Sequence, residues 1–258
     1  MLKIRVVTLN LFCDDWRRWE RLDLAVAEIK RLKPDILLLQ EVHFGAGAHK
    51  KLAKMLPGYH MSICHRGGNM NWVGQAIFSK LRPLGNDTLA LSQNRVAQKV
   101  TLKIGSQKIN FINVHLYFSP YLDKARRQQV HQVLDFARAP AVVAGDFNAM
   151  PAYGSIKVMK TRFSSAHQAV HGSEPRRTYP SPLWRGPAIW HSWRRRAINL
   201  FETVIRLLNQ EWIGTIDYIF VEQGIKARNC YVVFDKPLFG DPKLYASDHF
   251  GLVADLEV

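Results

Sequence analysis

The 258-residue chain has few cysteines and too little acid to balance its base. Cys13, Cys64 and Cys230 stand far apart and make no metal-ligand spacing. Their odd number excludes a scaffold in which every cysteine is paired, so free thiols in a reducing compartment are expected. Asp and Glu total 21 against 36 Lys and Arg, a formal net charge of +15 with pI near 9.9. That excess favours polyanionic partners: nucleic acid, an anionic membrane surface or phosphorylated small molecules. Long apolar runs are also missing. None reaches bilayer-spanning length, and the opening MLKIRVVTLN is a strand pattern without the apolar core of a secretion signal. These absences lead to the expectation of a cytoplasmic protein. No repeat, low-complexity tract or linker divides the chain, so a single domain over 1–258 is expected.

Apolar periodicity supplies the outline. Strands are expected over Lys3–Leu9, Asp35–Leu39, Val73–Ser79, Ile216–Val221, Asn229–Phe234 and Phe250–Val258, with a hairpin over Val96–Ile104 and Lys108–Val114. Helices are expected over Trp19–Leu32, Lys50–Leu56 and Ala197–Leu208. A basic amphipathic helix over Tyr121–Arg138 should turn Leu122, Ala125, Val133, Leu134 and Ala137 inward. Residues 161–187 read mostly as loop. Helix-strand alternation mixed with hairpins points to two mixed sheets with helices outside.

The strands share a way of ending. VVTL runs into Asn10, ILLL into Gln40 and Glu41, and FINV into His115. AVVAG runs into Asp146, with Phe147, Asn148 and then Pro151, which forbids further sheet pairing. The last strand is entered through Asp248 and His249. Each residue alone reads as a turn, a cap or a satisfied core group. Five sets restricted to Asp, Glu, Asn, Gln and His are hard to explain as turns, which use Gly, Ser and Pro at least as freely. Carboxylate and amide oxygens are hard ligands suited to Mg²⁺ or Mn²⁺, and the lack of thiolates disfavours structural zinc.

In order, VVTLN, LLLQEV, NVHL, VVAGDFNAMP, IDYIFV and SDHFGL resemble the endonuclease/exonuclease/phosphatase (DNase I-like) superfamily, from Thr8 to Leu252. The resemblance implies a four-layer α/β/β/α sandwich of two mixed β-sheets flanked by helices, with the site between the sheet edges. It implies that Glu41 is the principal ligand of Mg²⁺ or Mn²⁺, with Asn10 and Asp248 beside it. Asp146 would position or deprotonate the attacking water with Asn148 as its partner. His249 would contact the scissile phosphate, oriented by Asp217, and His115 would be a second phosphate-facing histidine.

The resemblance implies a metal-dependent phosphodiesterase. Its motifs fit DNase I-like nucleases, deadenylase-like enzymes and sphingomyelinases alike, whereas TIDYIF departs from the inositol polyphosphate phosphatase motif and GDFN from the tyrosyl-DNA phosphodiesterase motif. The basic excess tips the expectation to DNA or RNA. Lys124, Arg126, Arg127 and His131 follow His115 as candidate phosphate contacts. Arg194, Arg195 and Arg196 lie among Trp184, Trp190, Trp193 and Trp212 beside an apolar helix. That region suits a single-strand clamp, a membrane surface for a lipid-headgroup phosphodiesterase, or a structural helix with a charged edge. No obligate protein partner is implied.

Overall fold

A computed structural model of the chain describes residues 2–68, 70–119, 122–138, 140–183 and 213–258. The first sheet and its helices come from β1 (Lys3–Asn10), α1 (Arg18–Leu32), β2 (Ile36–His43), α2 (Ala48–Met55), β3 (His60–His65) and β4 (Val73–Ser79). The chain then makes β5 (Gly85–Leu91), β6 (Arg95–Ile104), β7 (Gln107–His115), α3 (Asp123–Phe136), β8 (Ala141–Asp146) and α4 (Gly154–Met159). It closes with β9 (Phe163–Ser165), α5 (Ala166–His171), β10 (Asp217–Glu222), β11 (Lys226–Val233) and β12 (Gly251–Glu257). Among the described residues these strands form two six-stranded sheets, ordered β11-β12-β1-β2-β4-β3 and β5-β6-β7-β8-β10-β9.

Both sheets are mixed. β1–β2 and β7–β8 run parallel, and the elements that carry the chain back between their partners are α1 and α3. The other pairings are antiparallel, including β1 with β12. Strand side chains alternate between faces, and here the alternation sorts the core into three slabs. Val7 and Leu9 of β1 join Leu37 and Leu39 of β2 under α1 and α2. Ile4, Val6, Ile36 and Leu38 face the other way and meet Ile109, Phe111, Val142, Ala144 and Ile219 of the second sheet. Val143, Phe220 and Val114 pack beneath α3 and α4. The four-layer α/β/β/α sandwich follows from that two-residue period.

Several expectations need correction. Trp19, expected on the apolar stripe from its helical spacing with Leu22, Val26, Ile29 and Leu32, is 44 % exposed, with the Lys51 ammonium over its ring; the inward face of α1 is Arg21, Leu22, Ala25, Val26, Ile29 and Leu32. α3 turns Arg126, Gln129, Val130 and Val133 inward and leaves Leu122 exposed. Edge strands β3 and β5, HMSICH and GNDTLAL, carry too little apolar alternation to show in the sequence. Short α4, β9 and α5 fall in or near the stretch expected to be loop. Cys64 and Cys230 are buried free thiols, whereas Cys13 is partly exposed. The helix expected over 197–208, the four tryptophans and Arg194, Arg195 and Arg196 lie outside the described residues.

Candidate active site

The face of each central strand that lines the gap between the sheets turns polar at one end. Asn10 continues the parity of Ile4 and Val6, Asp146 that of Val142 and Ala144, and His115 that of Ile109 and Phe111. Asp217 shares parity with Ile219 and Val221. Register then aligns them: Asp146 stands opposite His115 on one side and Asp217 on the other, so three neighbouring strands put these side chains in one row. Gly145 permits the row. Its φ is +141°, and a Cβ there would lie 2.0 Å from the Val114 carbonyl oxygen.

Glu41 arrives differently. By parity it would point under α1 with Leu37 and Leu39. A register shift between Leu39 and Val42, with Glu41 at φ +54°, turns it towards the gap instead. Its Oε2 accepts the Cys13 N–H at 2.9 Å, and its Oε1 lies 3.4 Å from Asn10 Nδ2. Beneath it, Gln40 Nε2 donates to Asn113 Oδ1 at 2.7 Å and to Thr8 Oγ1 at 3.0 Å, a buried bridge between the two sheets.

Asp146 is the hub. Its Oδ1 accepts the Asn148 N–H at 2.8 Å. Its Oδ2 accepts from Asn10 Nδ2 at 3.0 Å and Asn148 Nδ2 at 3.2 Å, with His115 Nε2 at 3.4 Å and His249 Nε2 at 4.0 Å. His249 Nδ1 meets Asp217 Oδ2 at 3.0 Å, which directs its other ring nitrogen into the site. Asp248 Oδ1 lies 4.0 Å from His249 Nε2. Asp146, Asp217 and His249 each present a ligand atom within 4.8 Å of the others. All eight residues expected at the catalytic and metal positions therefore lie around the same end of the inter-sheet gap.

Their electrostatics differ in sign. Burial raises the Asp146 carboxyl to about 7, with His249 pulling it down and Asp217 pushing it up. Burial works against the charge of His249, yet Asp217, Asp146 and Asp248 outweigh it and hold the imidazole well above its ordinary range. Burial, reinforced by Arg95 and Arg66, holds His115 well below that range, so it is neutral. The cluster thus joins an Asp146 carboxyl that burial inclines to hold its proton, one imidazolium and one neutral imidazole.

Some residues that build the site carried no signal in the sequence. Arg21 is buried and donates to the carbonyls of Leu11, Phe12, Asp14 and Trp16, fixing the loop whose Cys13 N–H holds Glu41. Thr178 Oγ1 accepts the Asp217 N–H at 3.1 Å, and Ser181 binds the Ser247 and Asp248 carbonyls. The Tyr179 ring lies 4.8 Å from that of His249. All three belong to the stretch expected to be plain loop. A single internal Arg in α1 has no marker that separates it from a solvent-facing one.

Arg126 is a correction. It is 0 % exposed, its Nη1 donates to Tyr117 O at 3.1 Å and also to Ser119 O, and its Nε lies 3.4 Å from Asp123. It fastens the exit of β7 to α3 and offers no surface charge to a phosphate chain. Lys124, Arg127 and His131 are exposed on the outer face of that helix.

Comparison with known proteins agrees with this fold. Nocturnin of Drosophila melanogaster is 27% identical over 274 residues, covering 93% of this chain; the chain spans 42% of that protein's length. The structure of D. rerio TDP2 complexed with single-strand DNA product superposes with a TM-score of 0.78 at 16% identity, covering 100% of both chains. The human Nocturnin catalytic domain with bound sulfate gives 0.73 at 23% identity, covering 99% of this chain and 93% of that one. At those identities the structural likeness establishes the fold. The sequence pattern described as the Endonuclease/Exonuclease/phosphatase family matches residues 7–249, and with that match the chain belongs to the endonuclease/exonuclease/phosphatase family.

Proposed function

We propose that this chain is a divalent-metal-dependent phosphodiesterase acting on nucleic acid. The observation that carries the reading is the buried Asp146 carboxylate, ringed by Asn10, Asn148, His115 and the His249–Asp217 pair. A base held in this way can orient a water and take its proton. The imidazolium of His249, fixed by Asp217, can hold negative charge that develops on a phosphoryl oxygen. Asn148 keeps Asp146 Oδ1 engaged through its backbone, which leaves Oδ2 facing the site. Neutral His115 can donate one hydrogen bond without adding charge.

The donor set fits a hard cation. Asn10, Glu41, Asp146, Asp217 and Asp248 supply oxygens; Asp146, Asp217 and Asp248 lie within 4.0 Å of the His249 ring nitrogens, and Glu41 lies 3.8 Å from His115 Nε2. Glu41, with Asn10 and Asp248, would hold the ion, Mg²⁺ or Mn²⁺. When bound, such an ion polarises a phosphoryl oxygen and offsets leaving-group charge.

Nucleic acid as substrate is supported by the formal charge of +15 and by the single-strand DNA product carried by D. rerio TDP2. The deciding assay sets purified protein with Mg²⁺ or Mn²⁺ against single-stranded DNA, double-stranded DNA, RNA and sphingomyelin. Metal-dependent cleavage of a nucleic acid is the expected result. Cleavage of sphingomyelin alone would move the substrate to a lipid headgroup, and no cleavage of any diester would overturn the reading.

A further inference from the structure

Beside the candidate active site lies a second pocket that contains Arg66, Gln75, Arg95, Glu41 and His115. Asp146, Asn148, Asp217 and His249 do not line it. Arg95 begins β6 and is 3 % exposed. Its Nε and Nη1 are shut off from water and find no hydrogen-bond partner among the described residues. Burying a cation without acceptors is costly, so a guanidinium in this state needs an explanation.

Glu41 and Asp146 favour the Arg95 charge from a distance and the Phe118 ring lies 5.9 Å away, but no carboxylate among the described residues comes within ion-pair distance of it. Glu41 gives Oε2 to the Cys13 N–H and turns Oε1 to Asn10. Asp146 is ringed by Asn10 and Asn148. The group that adds to the pocket is a second cation: Arg66 leaves the loop after β3, and its Nε reaches only the Asn94 carbonyl, at 3.4 Å. The two arginines feel each other, since burial and then Arg66 bring Arg95 down to about 10. Two guanidiniums against one carboxylate, Glu41, with Arg95 Nε and Nη1 lacking acceptors among the described residues, make a receptor for an anion with several oxygens.

We propose that Arg95 and Arg66 bind a phosphate of the substrate other than the one cleaved. The existence of the anion site rests on the pocket alone; its role rests on the phosphodiesterase reading above. Because the pocket shares Glu41 and His115 with the candidate active site, a phosphate held there is a neighbour of the scissile one. The favoured substrates are then diesters that carry another phosphate close by, as nucleotide chains do and a single-phosphate lipid headgroup does not.

The test begins without metal. Inorganic phosphate is titrated in EDTA into the wild type, Arg95→Gln and Arg66→Gln, with melting temperature and calorimetry as readouts. Saturable binding in the wild type, weakened at least tenfold by Arg95→Gln, is expected. Absent binding, or equal binding by Arg95→Gln, would overturn the site. Without phosphate, Arg95→Gln should melt at or above the wild-type temperature because an unpartnered buried charge is gone. Loss of folding, or a fall of several degrees, would mark the guanidinium as structural and equally overturn it. The role is read from thymidine dinucleotides with no terminal phosphate, a 5′-phosphate or a 3′-phosphate. The wild type should prefer one phosphorylated form in kcat/KM, and Arg95→Gln should lose the preference. A wild type indifferent to the terminal phosphate would overturn the role. If no diester is hydrolysed at all, the phosphodiesterase reading has failed, and the metal-free titration still decides the anion site.

Discussion

The two ends of strand β1 make opposite uses of charge. At the Lys3 end, Arg5 pairs with Asp255 at 2.7 Å, Arg228 with Glu257 at 2.8 Å and, close by, Lys80 with Asp35 at 2.9 Å. All of these but Lys80 border an open groove, which Lys3 and Lys33 also line, and each of the six has a partner of opposite sign. At the Asn10 end the polar groups are buried, three carboxyl groups crowd the His249 imidazolium, and two arginines share a pocket with Glu41 and His115 without an ion pair among the described residues. Charge at the first end is settled within the chain. At the second, buried groups of both signs stand close together with few ion pairs between them. Polarity therefore says less about a site than whether the polar groups complete one another.

That contrast can be broken by experiment. The largest effect should come from the proposed cation: chelation should reduce phosphodiester hydrolysis to background, and Mg²⁺ or Mn²⁺ should restore it. Full turnover in metal-stripped protein would refute the mechanism. Next come Asp146→Asn and His249→Ala, each expected to cost about 10² to 10⁴ in kcat with little change in melting temperature. Near-wild-type turnover in either would remove its assigned role.

A stability measurement sharpens the comparison further. In metal-free protein the Asp146 carboxyl is raised to about 7, above its unfolded value. The folded state then binds the extra proton between those values, so this contribution to stability is present at low pH and fades as pH rises through about 7. Asp146→Asn removes the titration. In EDTA its melting temperature should therefore gain on the wild type between pH 5 and pH 8. A constant difference would show that the carboxyl is not desolvated.

The smallest effect belongs to the other end. Asp255→Asn breaks a partly exposed pair and should cost about 1 kcal/mol or less, with kcat unchanged. A large loss of turnover there would mean that the two ends are coupled.

Much of the site was legible because strand periodicity and chemistry coincide in it. An apolar run of period two that ends in Asp, Asn or His both predicts a strand and names the residue that leaves the core, as at Asp146 and His115. What escaped lacked such a local marker. Arg126 has the composition of a solvent-facing helix residue, and only the wheel that buries Gln129, Val130 and Val133 carries it inside. Arg66 follows His65 and opens a Gly/Asn-rich loop, Arg95 opens an ordinary strand, and their meeting is set by how β4, β6 and β7 stack. β5 was lost because an exposed edge strand has no buried face to pattern it.

Strand β12 pairs with β1, setting Lys3 opposite Glu257 and Thr8 opposite Leu252. Asp248 and His249 enter the site only when that pairing of distant segments closes. A polypeptide that stops before Asp248 can pair β7 with β8 and set His115 opposite Asp146, but it lacks the second imidazole, His249. Hydrolytic competence should thus be all-or-none during synthesis or refolding, emerging in the slow, long-range step rather than growing with secondary structure. A truncated product would lack the complete site.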